Sequence, residues 1–314
     1  MILTLTPNPT IDRVTYVRGF RLGAVVRAKR EVVTPSGKGV DASLVIHEFG
    51  GETVALGLNA GYTGRLLEAM LDDWGVAHDF CAAEGETRTA TVLVDLDAGD
   101  QSTISTATLT ATEAHLAQLL DKLGCYAGRA WGVVLGGSLP PGLPRDSYAR
   151  LLRRAWEGGM TTLLDTSGEA LSQGVFGPPD VLKVNRYELA ALDPGIQRVE
   201  VKDVDDVSEL GVALRAHLGT WAGEALVVTL GEQGSLMATE GSTWWARPPK
   251  VHAVNTAGAG DALSGGLLLA RSRGEDWAQA LALGTAAAAS VVMNEGTAVC
   301  RREQVESLLA EVTV

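Results

Sequence analysis

Hydrophobic positions along the chain follow two alternating patterns. Short apolar runs without polar interruption are typical of strands covered on both faces, and they occur at 2–6, 53–58, 131–137, 161–166, 181–185 and 225–231. Helical spacing follows most of them, near 39–49, 63–74, 145–157, 205–217, 261–273, 277–293 and 302–311. Strands that alternate with helices predict a mostly parallel sheet flanked by helices, an α/β fold.

Two regions, 12–34 and 87–106, break this rhythm because polar and apolar residues alternate there without intervening helices. The sequence DAGD at 97–100 is a hairpin-turn signal. We expect these regions to form a small antiparallel sheet that projects from the main domain as a lid. Such a sheet could cover a ligand or pair with a second subunit. No linker divides residues 1–314 into independent domains, so a single domain is expected.

Composition excludes some classes of partner. The chain has 26 basic and 38 acidic side chains and a formal charge of −12. No general field therefore draws it to nucleic acid or to an anionic membrane, and any bound phosphate requires a local site. The run 277–294 approaches transmembrane length, but its small residues favour a tightly packed internal helix.

Cysteine usage and the first residues bear on the compartment. Three scattered cysteines argue against a disulfide framework and fit a reducing cytosol. The opening MILTLTPNPT lacks a basic segment, a long apolar segment and a cleavage site, so no signal peptide is expected.

The segment NTAGAGDALSGG (255–266) places glycines directly before an apolar helix. Glycine allows a tight turn and close approach to a ligand, and the free amides and dipole of the helix start would attract an anion. Asp261 in the first turn is either a helix cap or a group at that anion site. A cap requires one side chain and not three small residues before it.

Four other segments have similarly open interpretations. Gly37 and Gly39 flank Lys38 before a helix without forming a P-loop, which suits either a ligand contact or a plain glycine turn. Asn185 and Glu188 form N-x-x-E after a buried strand, which is also a capping pattern. Ser138 follows a glycine pair at a strand's carboxyl end, where α/β sheets bind ligands. The segment VVTLGEQGS (227–235) could be a hairpin turn or one wall of a nucleotide cleft. Hydride chemistry is disfavoured, since GLNAGYTG (57–64) lacks the G-x-G-x-x-G spacing.

Together these segments resemble the ribokinase-like (PfkB) carbohydrate kinases over essentially the whole chain, most closely their hexose-phosphate branch. TLTPNPTID, GKGVDAS, GGSLPPG, VNRYE and NTAGAGD occur in the family's order and spacing. The resemblance implies a doubly wound α/β domain with a β-sheet lid, and transfer of phosphate from ATP to a sugar hydroxyl with Mg²⁺.

Site roles follow from the resemblance position by position. Asp261 matches the catalytic base, and the family's anion hole is matched by Gly258, Ala259 and Gly260. The pair Asn185 and Glu188 matches the motif that organises Mg²⁺ indirectly, through water and phosphate. The nucleotide side is matched by Lys183, Thr229, Gly231 and Gly234. The sugar-phosphate side is matched by Asp12, Gly37, Lys38, Asp41, Arg88 and Ser138. Arg88 would pair with the substrate's existing phosphate, and Arg27 is a weaker candidate for that role.

Two positions depart from the family pattern. Asp41 stands where the family usually has Asn, and an ionised Asp only accepts hydrogen bonds whereas Asn also donates. The identity of the acceptor sugar is therefore open at this residue. Asn255 stands where many relatives have Asp.

The resulting expectation is a cytosolic kinase of fructose 1-phosphate or tagatose 6-phosphate. A kinase of an unphosphorylated sugar or nucleoside is the second hypothesis. A sugar-phosphate-binding regulator without catalysis is the third, disfavoured by the intact Asp261 motif. A homodimer through the lid strands is plausible, because exposed sheet edges invite pairing.

Overall fold

The strands and helices follow the predicted alternation closely. A computed structural model describes residues 1–196, 201 and 203–314. The strands are β1 (Ile2–Thr6), β2 (Thr10–Val17), β3 (Arg30–Ser36), β4 (Thr53–Asn59), β5 (Ala77–Ala82), β6 (Glu84–Gly85), β7 (Arg88–Asp95), β8 (Asp100–Ser105), β9 (Leu109–Thr110), β10 (Gly132–Gly136), β11 (Thr161–Asp165), β12 (Val181–Asn185), β13 (Ala225–Thr229), β14 (Ser235–Ala238) and β15 (Thr243–Ala246). The helices are α1 (Lys38–Glu48), α2 (Gly61–Asp73), α3 (Glu113–Cys125), α4 (Ser147–Glu157), α5 (Gly168–Gly174), α6 (Arg186–Leu192), α7 (Val204–Arg215), α8 (Ala259–Ser272), α9 (Trp277–Met293) and α10 (Arg302–Leu309).

The main sheet has the order β15-β14-β13-β12-β11-β10-β1-β4-β5. Every pairing from β13 to β5 is parallel, and β14 and β15 add an antiparallel edge. Because parallel strands end at the same side, the loops after β10, β11, β12 and β13 meet at one edge of the sheet. The predicted α/β class with a mostly parallel sheet is confirmed.

Both faces of the sheet are covered, and the strand period of two divides its side chains between two cores. Val133 and Leu135 pack in the cluster beneath α3 and α4, whereas Val134 between them packs in the cluster beneath α8 and α9. Leu182 and Val181 separate in the same way. This burial on both faces explains why these strands read as continuous apolar runs.

Small residues bring three helices close together on one face of the sheet. A β-carbon added to Gly265 of α8 would lie 2.8 Å from the carbonyl oxygen of Ala42 in α1. A β-carbon at Gly266 would lie 3.0 Å from Cα of Gly284 in α9. Helix α9 is accordingly an internal helix, as expected from its composition. No helix in the described part of the chain has the length and apolarity to cross a membrane.

The lid is a four-stranded sheet of order β3-β2-β7-β8. The outer pairs are antiparallel, as expected, and the turn at 96–99 joins β7 to β8. The central pair β2–β7 is parallel, so the expectation of a wholly antiparallel sheet is wrong at this pair. The long chain segment between β2 and β7, which includes α1, β4 and α2, allows the crossover that a parallel pair requires. The inner face packs around Val14, Tyr16, Val92 and Val94, while all of β8 is exposed.

Several elements had no counterpart in the sequence prediction. These are α3 and α5 among the helices, and β5, β6, β9, β14 and β15 among the strands. The segment 231–234 forms the turn between antiparallel strands β13 and β14, so the hairpin interpretation of that segment is correct. The cysteines at 81, 125 and 300 are all free, which agrees with the expected lack of a disulfide framework.

Candidate active site

The strand order gathers most of the predicted site residues at the carboxyl edge of the main sheet. Gly136 at the end of β10 is in register with Asp165 at the end of β11, and Asn185 of β12 is in register with Thr229 of β13. Helices α1 and α8 begin at this same edge, since Lys38 at the start of α1 is ion-paired with Asp165.

Asp165 is the centre of a buried ionic network that the sequence analysis missed. Its Oδ1 pairs with Lys38, and its Oδ2 accepts from Lys183 Nζ at 2.8 Å and from Ser264 Oγ at 3.1 Å. Burial opposes ionisation of Asp165, but the charges of Lys183 and Lys38 outweigh it and lower its pKa. We name Lys38, Asp165, Lys183 and Ser264 the inner cluster. A charged residue at the end of a buried strand was the available signal.

Helix α8 begins with a glycine turn directly above the inner cluster. Its N-cap, Gly258, has φ 84°, and a β-carbon there would lie 2.5 Å from the backbone nitrogen of Ala298. A β-carbon at Gly260 would lie 2.7 Å from Lys183 Nζ. The turn therefore requires small residues, and the start of the helix lies beside a lysine, which suits an anion.

Asp261 lies in the first turn of α8, behind Ala259 and Gly260. Its pKa is raised to about 6, first by burial and then by the negative charge of Asp165, while Lys38 and Lys183 oppose the rise. A carboxyl that titrates near neutral pH is suited to accept a proton. The N-cap of α8 is Gly258, and no side-chain hydrogen bond caps this helix. The cap interpretation of Asp261 is therefore not supported.

The N-x-x-E motif is a capping box. Asn185 Oδ1 accepts from the backbone N–H groups of Tyr187 and Glu188, and Glu188 Oε2 accepts from the N–H of Asn185 at 2.7 Å. Oε1 of Glu188 lies 3.6 Å from Lys38 Nζ. The described residues contain no cluster of three side chains able to hold a metal directly. Glu188 supplies a carboxylate oxygen, the kind of ligand that Mg²⁺ takes, and its role toward Mg²⁺ stays a prediction.

The loop after β13 lies beside this motif. Gly231 and Gly234 have φ of 67° and 90°, and a β-carbon at Gly234 would lie 2.0 Å from the carbonyl oxygen of Ala246. Arg186 in the first turn of α6 donates to the carbonyl oxygen of Leu230 at 3.0 Å. Thr229, Gly231 and Gly234 therefore lie next to Asn185, and their assignment to the nucleotide stays a prediction.

Two buried carboxyl groups lie beneath the lid. Asp12 of β2 is 7% exposed and accepts from Thr297 Oγ1 at 2.8 Å. Asp41 of α1 is 2% exposed and accepts from Ser36 Oγ at 3.1 Å. The Oδ1 atom of each has no hydrogen-bond partner among the described residues. Burial raises the pKa of both carboxyls. Buried oxygens without a donor are the groups that a ligand would satisfy.

Arg88 begins β7 and closes this group of residues on the lid side. Its Nε donates to the carbonyl oxygen of Asn8 at 3.2 Å, and its Nη1 donates to Ser105 Oγ at 2.6 Å. The side chain of Asn8 in turn donates to Ser138 Oγ at 3.1 Å. Asn8 thus links the lid to the main sheet, and its place between two prolines was the signal that the sequence analysis did not use. We name Asp12, Asp41 and Arg88 the lid-side cluster.

The start of α1 fits closely under the first strand. Gly37 has φ 119°, and β-carbons at Gly37 and Gly39 would lie 2.8 Å and 2.6 Å from side-chain atoms of Thr6. Thr6 Oγ1 accepts from the N–H of Val40 at 3.1 Å. These glycines are therefore required by packing against β1, and they position Lys38 toward Asp165.

The segment 296–298 contacts both Asp12 of the lid-side cluster and the loop that precedes α8. Thr297 donates to Asp12, and the N–H of Ala298 donates to the carbonyl oxygen of Ala257 at 3.3 Å. Ala298 has φ 54°, which is unique among non-glycine residues in the described ranges. Asn255 is buried; it donates to the carbonyl oxygen of Gly296 at 2.8 Å and accepts from the N–H of Ala257.

Arg27 is not brought to the site by any described contact. It lies in the exposed loop 18–29 between β2 and β3 and lines an open depression of about 550 Å³ on the outside of the lid. Gln101 of β8 does reach the main domain, where its side chain donates to Thr256 Oγ1 at 3.0 Å. The lid therefore contacts the loop that precedes α8.

Comparisons with known proteins agree with this architecture. The model of the pfkB family of carbohydrate kinases matches residues 7–304. The chain is 33% identical over 318 residues to ATP-dependent 6-phosphofructokinase isozyme 2 of Mycobacterium tuberculosis, covering 99% of this chain and 91% of that protein. It is 28% identical over 317 residues to 1-phosphofructokinase of Bacillus subtilis, covering 100% and 99% of the two chains. Phosphofructokinase-2 of Escherichia coli, in complex with substrates and products, superposes with a TM-score of 0.89 at 28% identity, covering 99% and 98%.

The fold and the edge at which the site lies define a ribokinase-like enzyme. The chain belongs to the pfkB family of carbohydrate kinases, and it is an ATP-dependent carbohydrate kinase.

Proposed function

We propose that the protein transfers the terminal phosphoryl group of ATP to a hydroxyl of a ketohexose phosphate, with fructose 1-phosphate or tagatose 6-phosphate as the leading acceptors. The observation that carries this proposal is the position of Asp261 together with the raised pKa of its carboxyl group. Its carboxyl has a pKa of about 6, directly follows the glycine turn of α8, and lies between the inner and lid-side clusters.

In the proposed reaction Asp261 accepts the proton of the sugar hydroxyl as its oxygen attacks phosphorus. The amides of Gly258, Ala259 and Gly260 neutralise charge on the moving group, which is most of what phosphoryl transfer requires. Lys183, whose Nζ faces Gly260, adds a positive charge on the ATP side. When bound, Mg²⁺ would supply further charge neutralisation, and Glu188 and Asn185 are the residues that would orient it through water.

The remaining residues divide between the two substrates. The wall of Thr229, Gly231 and Gly234 is assigned to the nucleotide. Asp12, Asp41, Ser138 and the start of α1 at Gly37 and Lys38 are assigned to the sugar hydroxyls. Arg88 is assigned to the phosphate already on the sugar, because it is the cation of the lid-side cluster. Lid closure would exclude water, which competes with the sugar as nucleophile.

A coupled assay of ADP release over a panel of acceptors tests the proposal. The panel contains fructose 1-phosphate, fructose 6-phosphate, tagatose 6-phosphate, unphosphorylated hexoses and nucleosides. Turnover of a hexose phosphate at a kcat/KM well above that of every neutral acceptor is expected. Preference for a neutral sugar or nucleoside would favour the second hypothesis. Binding of a hexose phosphate without ADP release would favour the regulator.

Fructose 6-phosphate is included in the panel because the relative from Mycobacterium tuberculosis is named a 6-phosphofructokinase.

We further propose that the protein is cytosolic and that it forms a dimer through its lid. The dimer is proposed because β8 is an exposed edge strand whose outer side pairs with no other described strand. Sedimentation of the protein with and without a proline in the middle of β8, Thr103→Pro, tests the pairing. A dimer that survives the substitution would contradict it.

A further inference from the structure

Three carboxyl groups meet where the lid covers the start of α8. Asp41 lies close enough to Asp261 for a hydrogen bond between the two carboxyl groups, and the charge of Asp12 also acts on it. Ser36 lies between Asp12 and Asp41, within reach of both, but its hydroxyl has one hydrogen and donates to Asp41. The three carboxyl groups do not all ionise at neutral pH, because the charges of Asp261 and Asp12 both raise the pKa of Asp41.

Among the described residues, no neighbouring cation forms an ion pair with Asp41. Lys38 and Lys183 are both ion-paired with Asp165. Arg88 donates hydrogen bonds to Asn8 and Ser105, and no ion pair joins it to Asp12 or Asp41 among the described residues. Asp41 is thus buried with one neutral donor, Ser36, and with two carboxyl neighbours.

The surroundings decide which carboxyl group keeps a proton. Asp261 lies in the first turn of α8, at the positive end of the helix dipole and under the fields of Lys38 and Lys183, all of which favour its ionised form. Asp41 lies deeper in α1, where its own N–H already donates to the carbonyl oxygen of Gly37. Asp12 has the hydroxyl of Thr297 and the field of Arg88. Asp41 is therefore the least compensated of the three.

We propose that Asp41 is held as the neutral carboxylic acid, that it donates a hydrogen bond to Asp261 in the free protein, and that it acts in the acceptor site as both donor and acceptor. Burial, followed by the charges of Asp261 and Asp12, raises the pKa of Asp41 well above its usual range, which agrees with this geometry. A neutral carboxyl group has one O–H donor and keeps acceptor capacity on its other oxygen.

This inference rests on the proposed function only for its second half, the role toward a sugar. A protonated Asp41 can donate to a hydroxyl oxygen, whereas Asp12 Oδ1 can only accept from a hydroxyl. Together the two groups would recognise sugar hydroxyls by opposite polarity. Asp41 would then act as a specificity-determining residue that does not require every facing hydroxyl to be a donor.

Infrared spectroscopy of the free protein tests the protonation state without any substrate. The C=O stretch of a protonated carboxyl group is expected in the wild type at neutral pH and is expected to disappear in Asp41→Asn. Asp276→Asn, at an exposed helix cap, should leave the band unchanged. A wild-type spectrum without such a band overturns the proposal even if the variant does not fold. So does a band that persists in a folded Asp41→Asn protein.

Kinetics with ATP and the acceptor identified by the panel test the role. Asp41→Ala should raise KM about tenfold, the expected loss of one buried hydrogen bond. Asp41→Asn should restore most of that loss, because an amide also donates and accepts. It should also remove the alkaline decline of kcat/KM that deprotonation of Asp41 causes in the wild type.

An alkaline decline that is the same in Asp41→Asn and the wild type would contradict the role. A failure of the panel to identify any acceptor would count against the proposed function alone, since the infrared result does not depend on it.

Discussion

The inner cluster and the lid-side cluster lie next to each other, but they satisfy their polar groups differently. In the inner cluster, both oxygens of Asp165 are paired with lysines, and Ser264 adds a further hydrogen bond. In the lid-side cluster, one buried oxygen of Asp12 and one of Asp41 accept no hydrogen bond from the described residues. Paired charges are fixed before any ligand arrives, whereas unpaired buried atoms are unfavourable until a ligand supplies the missing group. The inner cluster is therefore arranged before the substrates bind, whereas the lid-side cluster completes its hydrogen bonds only when a ligand is present.

Asp261 joins the two clusters, and its loss should have the largest effect on catalysis. In Asp261→Asn the amide cannot accept the hydroxyl proton, so kcat should fall about 10³-fold. Steady-state ADP release measures this effect, with Asp276→Asn as the matched control at the start of α9. A folded Asp261→Asn protein with wild-type turnover would show that Asp261 is not the base.

Loss of Asp165 should break the inner cluster. Asp165→Leu leaves Lys183 buried without a counter-ion, and the free energy of unfolding should fall by about 3–5 kcal/mol. Glu169→Gln removes the exposed ion pair of Arg145 and should change it by less than about 1 kcal/mol. Urea denaturation of both variants gives the comparison. Equal effects would mean that burial of the Asp165 network contributes nothing to stability.

Arg88 is the test of the lid-side cluster. Arg88→Ala should raise KM for a sugar phosphate about 10- to 100-fold by removing a charge-assisted contact to phosphate. KM for a neutral sugar should change far less. Arg13→Ala removes an arginine from the neighbouring strand, where it pairs with Glu31 at a more exposed position, and serves as the control. Equal changes for charged and neutral acceptors would reject the phosphate assignment.

The smallest expected effect is the pH dependence of the wild type. Protonated Asp261 cannot act as a base, so kcat/KM, which reports the free enzyme, should fall about tenfold per unit below the pKa of about 6. Initial rates over a range of buffers at constant ionic strength measure this limb. An acid limb at the pKa of an ordinary aspartate would mean that burial and Asp165 do not act on Asp261 as inferred.

The sequence was sufficient for the alternation of strands and helices and for the strand ends that carry Ser138, Asn185 and Thr229. Both cues are local: an apolar run followed by glycine or a polar residue. The sequence could not place Asp165 beside Lys38, because these residues are 127 positions apart and their contact depends on strand order. Nor could it reveal that β2 and β7 run parallel, since the same alternation fits either direction.

The two interpretations of N-x-x-E were not exclusive in the way that the sequence suggested. Asn185 and Glu188 form the capping box, and Oε1 of Glu188 still faces Lys38. The role of Glu188 toward Mg²⁺ stays a prediction. For Asp41 the sequence shows that the residue is an aspartate. It does not show that one buried oxygen of this residue accepts no hydrogen bond from the described residues.

The contacts of the segment 296–298 limit how the acceptor preference of this enzyme can be changed. Through Thr297 it supports a carboxyl group under the lid, and through Ala298 it supports the glycine turn of α8. A substitution there would disturb both contacts, so few substitutions should be tolerated at these three positions. A change of acceptor preference should therefore be easier to engineer at Arg88 and in the lid strands than within this segment.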